Sequence, residues 1–296
     1  MISVIICSRT ATLRQPLADN IAATIGVPYE LVVIDNSANQ YGICQAYNIG
    51  VQKSQYHMLC FMHDDLEYQS ANWGQNVAQH FKDNDVAAIG VAGTPYLAFM
   101  PGPWWGSGHT YQHLAATTKE ELLLQSPAKQ LKEQVVLLDG CWTCIKKEAF
   151  NKIRFDETAF TGYHFYDADI CMQLNQSGYQ IYTISDILIN HASMGNANSS
   201  WIENALMFHK KWKLNLPVSS LSTNNKPIFT YEYKTLNAFI WACYYNNYSN
   251  KFIYRLALKS QLSFKKGISY YKSPAYFLKF LFKYLFKKGK PFYSFL

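Results

Sequence analysis

The chain opens with four short apolar runs separated by segments of helical periodicity, and this alternation constrains the fold more than any other feature. The runs are residues 2–7 (ISVIIC), 30–34 (ELVVI), 57–62 (HMLCFM) and 86–91 (VAAIGV). Each has strand length and is apolar on both faces, as strands buried between two layers are. After the first run, Leu13, Leu17, Ile21 and Ile25 recur at helical spacing until Gly26 and Pro28 interrupt them. Residues 42–53 and 72–81 read as two further helices. A β-α-β-α-β-α-β order needs crossover helices. The expected fold is therefore α/β, a mostly parallel sheet with flanking helices.

Ligands of such sheets lie at the carboxyl ends of the strands. Here those ends carry Ser8-Arg9, Asp35-Asn36 and His63-Asp64-Asp65. No GxGxxG follows the first strand, which argues against a dinucleotide-dependent oxidoreductase. Residues 94–113 are loop-like, with Pro95, Pro101, Pro103 and three glycines around Trp104-Trp105. A strand over 135–138 leads to Asp139-Gly140, a helix starts near Asp167, and 180–184 reads as a last strand before Asn190-His191.

Charge divides the chain. Residues 217–296 hold 13 Lys/Arg against one acidic residue, Glu232, a charge of +12. The whole chain carries +7, so the first 216 residues carry −5. The expected organisation is a catalytic domain over 1–216 and a basic, aromatic, helical region over 217–296. Within 275–288, Lys279, Lys283 and Lys287 recur every four residues among Phe and Leu, a pattern suited to an anionic membrane surface. A helix packed on the body is the competing account. No nucleic-acid module is recognisable, so no nucleic-acid partner is expected. Seven scattered cysteines do not form a disulfide framework and fit a reducing compartment. Neither a secretory signal nor an apolar run of spanning length is evident, so the expected location is cytoplasmic and peripheral to the membrane.

Three polar clusters carry chemistry. One or two carboxylates of His63-Asp64-Asp65 suffice to hold a divalent cation against a diphosphate, and imidazole favours manganese over magnesium. Taken alone, the cluster could equally be a polar loop closing a strand. Tyr166-Asp167-Ala168-Asp169 begins a helix, where carboxylates cap the amide dipoles or, kept ionised, serve as a general base. Asn190-His191 follows a strand; a lone histidine there is more often a satisfied core or surface residue.

Six stretches then appear in a fixed order: SVIICSR (3–9), LVVIDNS (31–37), GICQAYNIGVQKSQYHMLCFMHDD (42–65), DGCWTCIKKEAF (139–150), FDETAFTGYHFYDADICMQLNQSGYQI (155–181) and INHASMG (189–195). Together they resemble the family 2 inverting glycosyltransferases of GT-A fold, of a bacterial surface-glycan type. The resemblance implies sugar transfer from a nucleotide-sugar donor to a hydroxyl of a glycan or lipid-linked acceptor. It implies that Asp35 contacts base or ribose, and that Ser8, Arg9, His63 and Asp64 line the donor site. His63 stands where the family usually has the first Asp of its DxD motif. Asp65 matches the last carboxylate of that motif and His191 the histidine that completes the metal site. Asp167 matches the catalytic base, with Tyr166 in place of the usual Glu. Asp169 matches a further acidic position that binds acceptor or orients the loop.

Trp104 and Trp105 could stack on acceptor sugar rings or simply anchor their loop, and Trp142 could be an acceptor platform or a core residue. Cys141 and Cys144, spaced as in zinc and redox motifs, lack a second ligand pair and read as buried thiols. Two rival functions are a catalytically inactive nucleotide- or glycan-binding scaffold and a nucleotidyltransferase. The acidic and histidine positions argue against the first. The lack of a Gly-rich basic loop after the first strand argues against the second.

Overall fold

The computed structural model describes residues 1–117, 122–125, 130–191, 195–221, 228–249, 251–252 and 255. The first half follows the expected order: β1 (Ile2–Ser8), α1 (Gln15–Thr24), β2 (Tyr29–Asp35), α2 (Ile43–Lys53), β3 (Met58–Met62), a short β4 (Leu66–Tyr68), α3 (Trp73–His80) and β5 (Val86–Gly90). Residues 94–113 are more ordered than a loop. With their neighbours they form β6 (Ala92–Thr94), β7 (Tyr96–Leu97), a single 3-10 turn (Trp104–Ser107), β8 (Tyr111–Gln112) and β9 (Leu114–Thr117).

Then come β10 (Leu122–Gln125), β11 (Lys132–Val135), β12 (Leu137–Leu138), β13 (Trp142–Lys146), α4 (Tyr166–Gln176) and β14 (Gln180–Ile184). The strand at 180–184 is not the last. It is followed by β15 (Ile189–His191), α5 (Ser199–Lys211), β16 (Val218–Ser219) and α6 (Ile228–Tyr245).

The central sheet has seven strands in the order β11-β14-β5-β13-β3-β1-β2. β2, β1, β3, β5 and β14 run parallel, while β13 lies antiparallel between β3 and β5, and β11 antiparallel at one edge. The sheet is mostly parallel, with helices on both faces. Alternation along β1 sorts the core: Ile5 joins the cluster under α2 and α4, and Ile2, Val4 and Ile6 join the one under α1 and α3. Helix α2 approaches closely because Gly50 has no side chain; a Cβ there would stand 2.3 Å from the Ile5 Cγ2 atom.

A smaller sheet, β10-β9-β15-β4, lies beyond the carboxyl end of β3. A third cluster joins Met100, Ile202 and Ala205 to Phe239, Ile240 and Cys243, so α6 is packed on the body. All seven cysteines are free, and Cys141 and Cys144 are buried. Among the described residues, no helix is long and apolar enough to cross a membrane. The lysine-patterned segment 275–288 lies outside the described residues.

Candidate active site

Strand β3 delivers His63 to the carboxyl edge of the sheet, where its backbone N–H donates to the Cys141 carbonyl at 2.9 Å. Three residues on, β4 pairs antiparallel with β15, setting His191 opposite Leu66. That pairing carries His191 to Asp65, its Nε2 lying 3.5 Å from the Asp65 Oδ1. The His63 and His191 rings are 5.5 Å apart. One donor atom from each of His63, Asp65 and His191 lies within 4.8 Å of the others. Two imidazoles and a carboxylate, all half-buried, form a donor set that fits a divalent cation.

The tautomer of His63 supports this fit. Tyr166 donates its hydroxyl to the Gly140 carbonyl at 3.0 Å, so at the His63 Nε2, 3.0 Å away, the hydroxyl must act as acceptor. Nε2 then carries the proton and Nδ1 keeps its lone pair for an ion. Burial and the neighbouring His191 both depress the His63 pKa, which holds the ring neutral and able to ligate. Gly140 makes the arrangement possible, since a Cβ there would fall 2.2 Å from the Tyr166 Oη.

Asp64 turns away from this cluster. Its carboxylate accepts the Arg9 backbone N–H at 2.9 Å and the Arg9 Nε at 2.9 Å, and pairs with Nη2 at 2.5 Å. The charge of Asp64 holds Arg9 in place. The guanidinium is 70% exposed and also reaches to 3.7 Å from Asp65, placing a cation at the rim of the site. Ser8 is buried, its hydroxyl 3.2 Å from the Thr10 Oγ1, so it presents no side chain to a nucleotide. Asp35 is exposed at the end of β2; its carboxylate accepts the Ser37 N–H at 2.9 Å, and bonds to Ser37 lower its pKa.

Asp167 occupies the first turn of α4, after Phe165 in a left-handed conformation (φ 64°). Its Oδ2 accepts the Gly140 N–H at 3.1 Å and its Oδ1 the Ala168 N–H at 2.8 Å. Leu138, Ile170, Cys171 and Leu174 line the space behind it. Burial first, and the charge of Asp139 second, push its pKa up to about 7, against the pull of those N–H groups.

Asp139 is the residue the sequence reading did not assign. It lies one residue before Gly140 and accepts the Trp104 Nε1 at 2.9 Å through Oδ2 and the Cys141 N–H at 2.9 Å through Oδ1. Its only sequence signal is the Asp-Gly dipeptide at the end of a strand. Trp104 is thus brought beside the two carboxylates, and Trp105, its neighbour in the 3-10 turn, is half-buried.

Trp142 and Asp169 both lie inside the fold, which favours the core alternative for the first and the orienting alternative for the second. Trp142 is fully buried, edge-on to Trp73 at 6.1 Å, and donates to the Tyr68 hydroxyl at 2.7 Å; no sugar can reach it. Asp169 is buried too, and accepts from the Trp212 Nε1, the Lys211 Nζ and the Gln173 Nε2 at 2.7, 2.7 and 2.8 Å. It ties α4 to α5.

Comparison with known proteins supplies independent findings. A family profile described as "Glycosyltransferase like family" matches residues 3–215. Among solved structures, the fold is similar to the mannosyltransferase PcManGT from Pyrobaculum calidifontis in complex with GDP-Man and Mn2+. That likeness has a TM-score of 0.50 at 15% identity and covers 96% of this chain and 79% of that one. Residues 1–349 of TarS from S. aureus are similar at a TM-score of 0.46 and 11% identity, over 95% of this chain and 80% of that one. Comparison with curated protein sequences returns no match.

Proposed function

The chain belongs to the glycosyltransferase-like family and is an enzyme of glycosyl transfer, and from that premise we propose an inverting, metal-dependent reaction at the carboxyl edge of the sheet. The observation that carries the proposal is the grouping of His63, Asp65 and His191 within 4.8 Å, with Asp167 linked to it through Tyr166 and Gly140. His63, Asp65 and His191 would hold a divalent cation, which would supply positive charge to the leaving diphosphate of a nucleotide-sugar. Two imidazoles in the donor set favour manganese over magnesium, and the similar PcManGT was solved with GDP-Man and Mn2+.

In this reading Arg9 adds a positive charge at the rim for the same diphosphate, and the exposed Asp35 accepts from the ribose or base. Asp167 takes the proton from the acceptor hydroxyl as that oxygen attacks the anomeric carbon from the face opposite the nucleotide. A single displacement inverts the anomeric configuration and needs no covalent sugar–enzyme intermediate. Trp104, held against Asp139, offers an aromatic face to the acceptor beside the base.

The wider role we propose is assembly of a bacterial surface glycan on a lipid-linked acceptor at the cytoplasmic face of the membrane. In this reading residues 1–216 are the catalytic domain and 217–296 the membrane-facing region. Its support is the +12 charge and the aromatic content of that region. The test is a screen of UDP- and GDP-sugars for thermal stabilisation with and without manganese, followed by NMR of the product's anomeric configuration. Donor-specific stabilisation that needs manganese, and inversion, are expected. Retention of configuration, or full activity in excess chelator, would sink the mechanism.

A further inference from the structure

The family profile ends at residue 215, yet α6, which lies beyond it, is seated against the segment that carries Trp104. Glu232 of α6 is fully buried and accepts three hydrogen bonds from residues 96–100. They come from the Tyr96 hydroxyl at 2.6 Å, the Phe99 N–H at 2.8 Å and the Met100 N–H at 2.9 Å. A buried carboxylate is tolerated only when its oxygens are satisfied in this way. One turn on, Thr235 fills the space left by two glycines that flank the tryptophans. A Cβ on Gly102 would meet the Thr235 Cγ2 at 2.5 Å, and one on Gly106 its Cα at 3.0 Å. Tyr231 closes the far end, its hydroxyl 3.0 Å from the His109 Nδ1.

We infer that α6 is a brace for the acceptor side of the active site, with Glu232, Thr235 and Tyr231 as positioning residues that hold Trp104 against Asp139. The contacts bracket the 3-10 turn on both sides: residues 96–100 before it, Gly102 and Gly106 around it, His109 after it. That turn is short and rich in glycine and proline, so it has little internal means of fixing a large indole. Its tryptophan nevertheless makes a charge-assisted bond to a carboxylate next to the proposed base. The donor half of the site, built on β1, β2, β3 and β15, has none of these contacts. Loss of the brace should therefore affect the acceptor half and spare the donor half. The inference rests on the reading that Trp104 faces the acceptor.

The test uses the full chain and needs no ligand for its first arm. Among the described residues, four indole N–H groups donate hydrogen bonds in distinct places: Trp104 to Asp139, Trp73 to Thr24, Trp142 to Tyr68 and Trp212 to Asp169. In an 15N–1H spectrum, Trp104 is assigned by its loss in Trp104→Phe. Glu232→Ala is expected to displace the Trp104 resonance toward that of a solvated indole and to speed its solvent exchange by on the order of tenfold. Trp73 and Trp142 should stay at their wild-type positions. Glu232→Gln keeps one acceptor oxygen but sets an amide NH2 against one of the two backbone N–H groups, so it should restore Trp104 only in part. Gly106→Ala, which pushes on Thr235 without touching Glu232, should reproduce the displacement.

An unmoved Trp104 resonance in both Glu232→Ala and Gly106→Ala would overturn the brace, as would all four indoles shifting together. So would wild-type transfer by a variant whose Trp104 is displaced. Failure of the mechanistic reading looks different: an intact Trp104 signal in a wild-type protein that turns over no nucleotide-sugar in the donor screen.

Discussion

Replacing Asp167 with Asn separates two consequences of its burial. An amide keeps the shape but accepts no proton, so transfer should fall by on the order of a hundredfold or more while donor binding persists. Stability should move the other way. The folded-state pKa is raised from 3.8 to about 7, so wild type loses stability as pH rises through that window. Thermal melts should show Asp167→Asn gaining over wild type at pH 8, by about 2 °C or more, with little gain at pH 4. For the same reason, wild-type kcat should climb through about pH 7, where the base ionises. Asp139→Asn removes a neighbouring negative charge and should shift that rise to lower pH; an unshifted profile would show that Asp139 does not act on the base. At the cation site, Asp65→Ala and His191→Ala should each weaken manganese-dependent stabilisation by donor at least tenfold, read as the manganese concentration giving half the effect. The motif order in the sequence was enough to single out Asp65, His191 and Asp167. It could not separate Asp64 from Asp65, because the Arg9 contact that turns Asp64 away joins residues 55 apart.

The elements divide in the same way between local and long-range causes. Strands β1, β2, β3 and β5 were legible because burial on two faces leaves continuous apolar runs, with boundaries shifted by only a residue or two. β15 was not, since three residues ending in Asn190-His191 carry no periodicity; it is a strand because β4 and β9 offer it edges. Trp142 shows the ambiguity most sharply. An aromatic residue near a strand end reads equally as a sugar platform or as core, and only its place in β13, between β3 and β5, decides. Trp142→Ala should cost about 3–5 kcal/mol by denaturant unfolding. At temperatures where the variant stays folded, its KM for acceptor should match wild type. A raised KM with stability retained would restore the platform reading.

For the molecule as a whole, the uneven charge makes a prediction that the catalytic edge does not share. Each basic residue near an anionic surface contributes about 1 kcal/mol, screened over roughly 10 Å at 0.1 M salt. Reversing Lys279, Lys283 and Lys287 to Glu should release the protein from phosphatidylserine-containing vesicles at low salt and leave donor hydrolysis unchanged. Equal co-sedimentation of wild type and triple variant would remove the membrane role. The proposal of two roles rests on charge in the sequence alone, whereas the seating of α6 on the body depends on Glu232 meeting residues more than 130 positions earlier.

The antiparallel β13 has one more consequence, and it concerns synthesis. Residues 58–62 and 86–90 leave the ribosome well before residues 142–146, yet in the finished sheet the latter run lies between the former two. A nascent chain that ends before residue 142 therefore holds β3 and β5 as two apolar strands with facing, unpaired edges. Such edges pair readily with each other or with another chain. Residues 142–146 close that gap and residues 180–184 later close the other edge of β5, so chains truncated before residue 142 are expected to aggregate more than the full chain, as read by sedimentation.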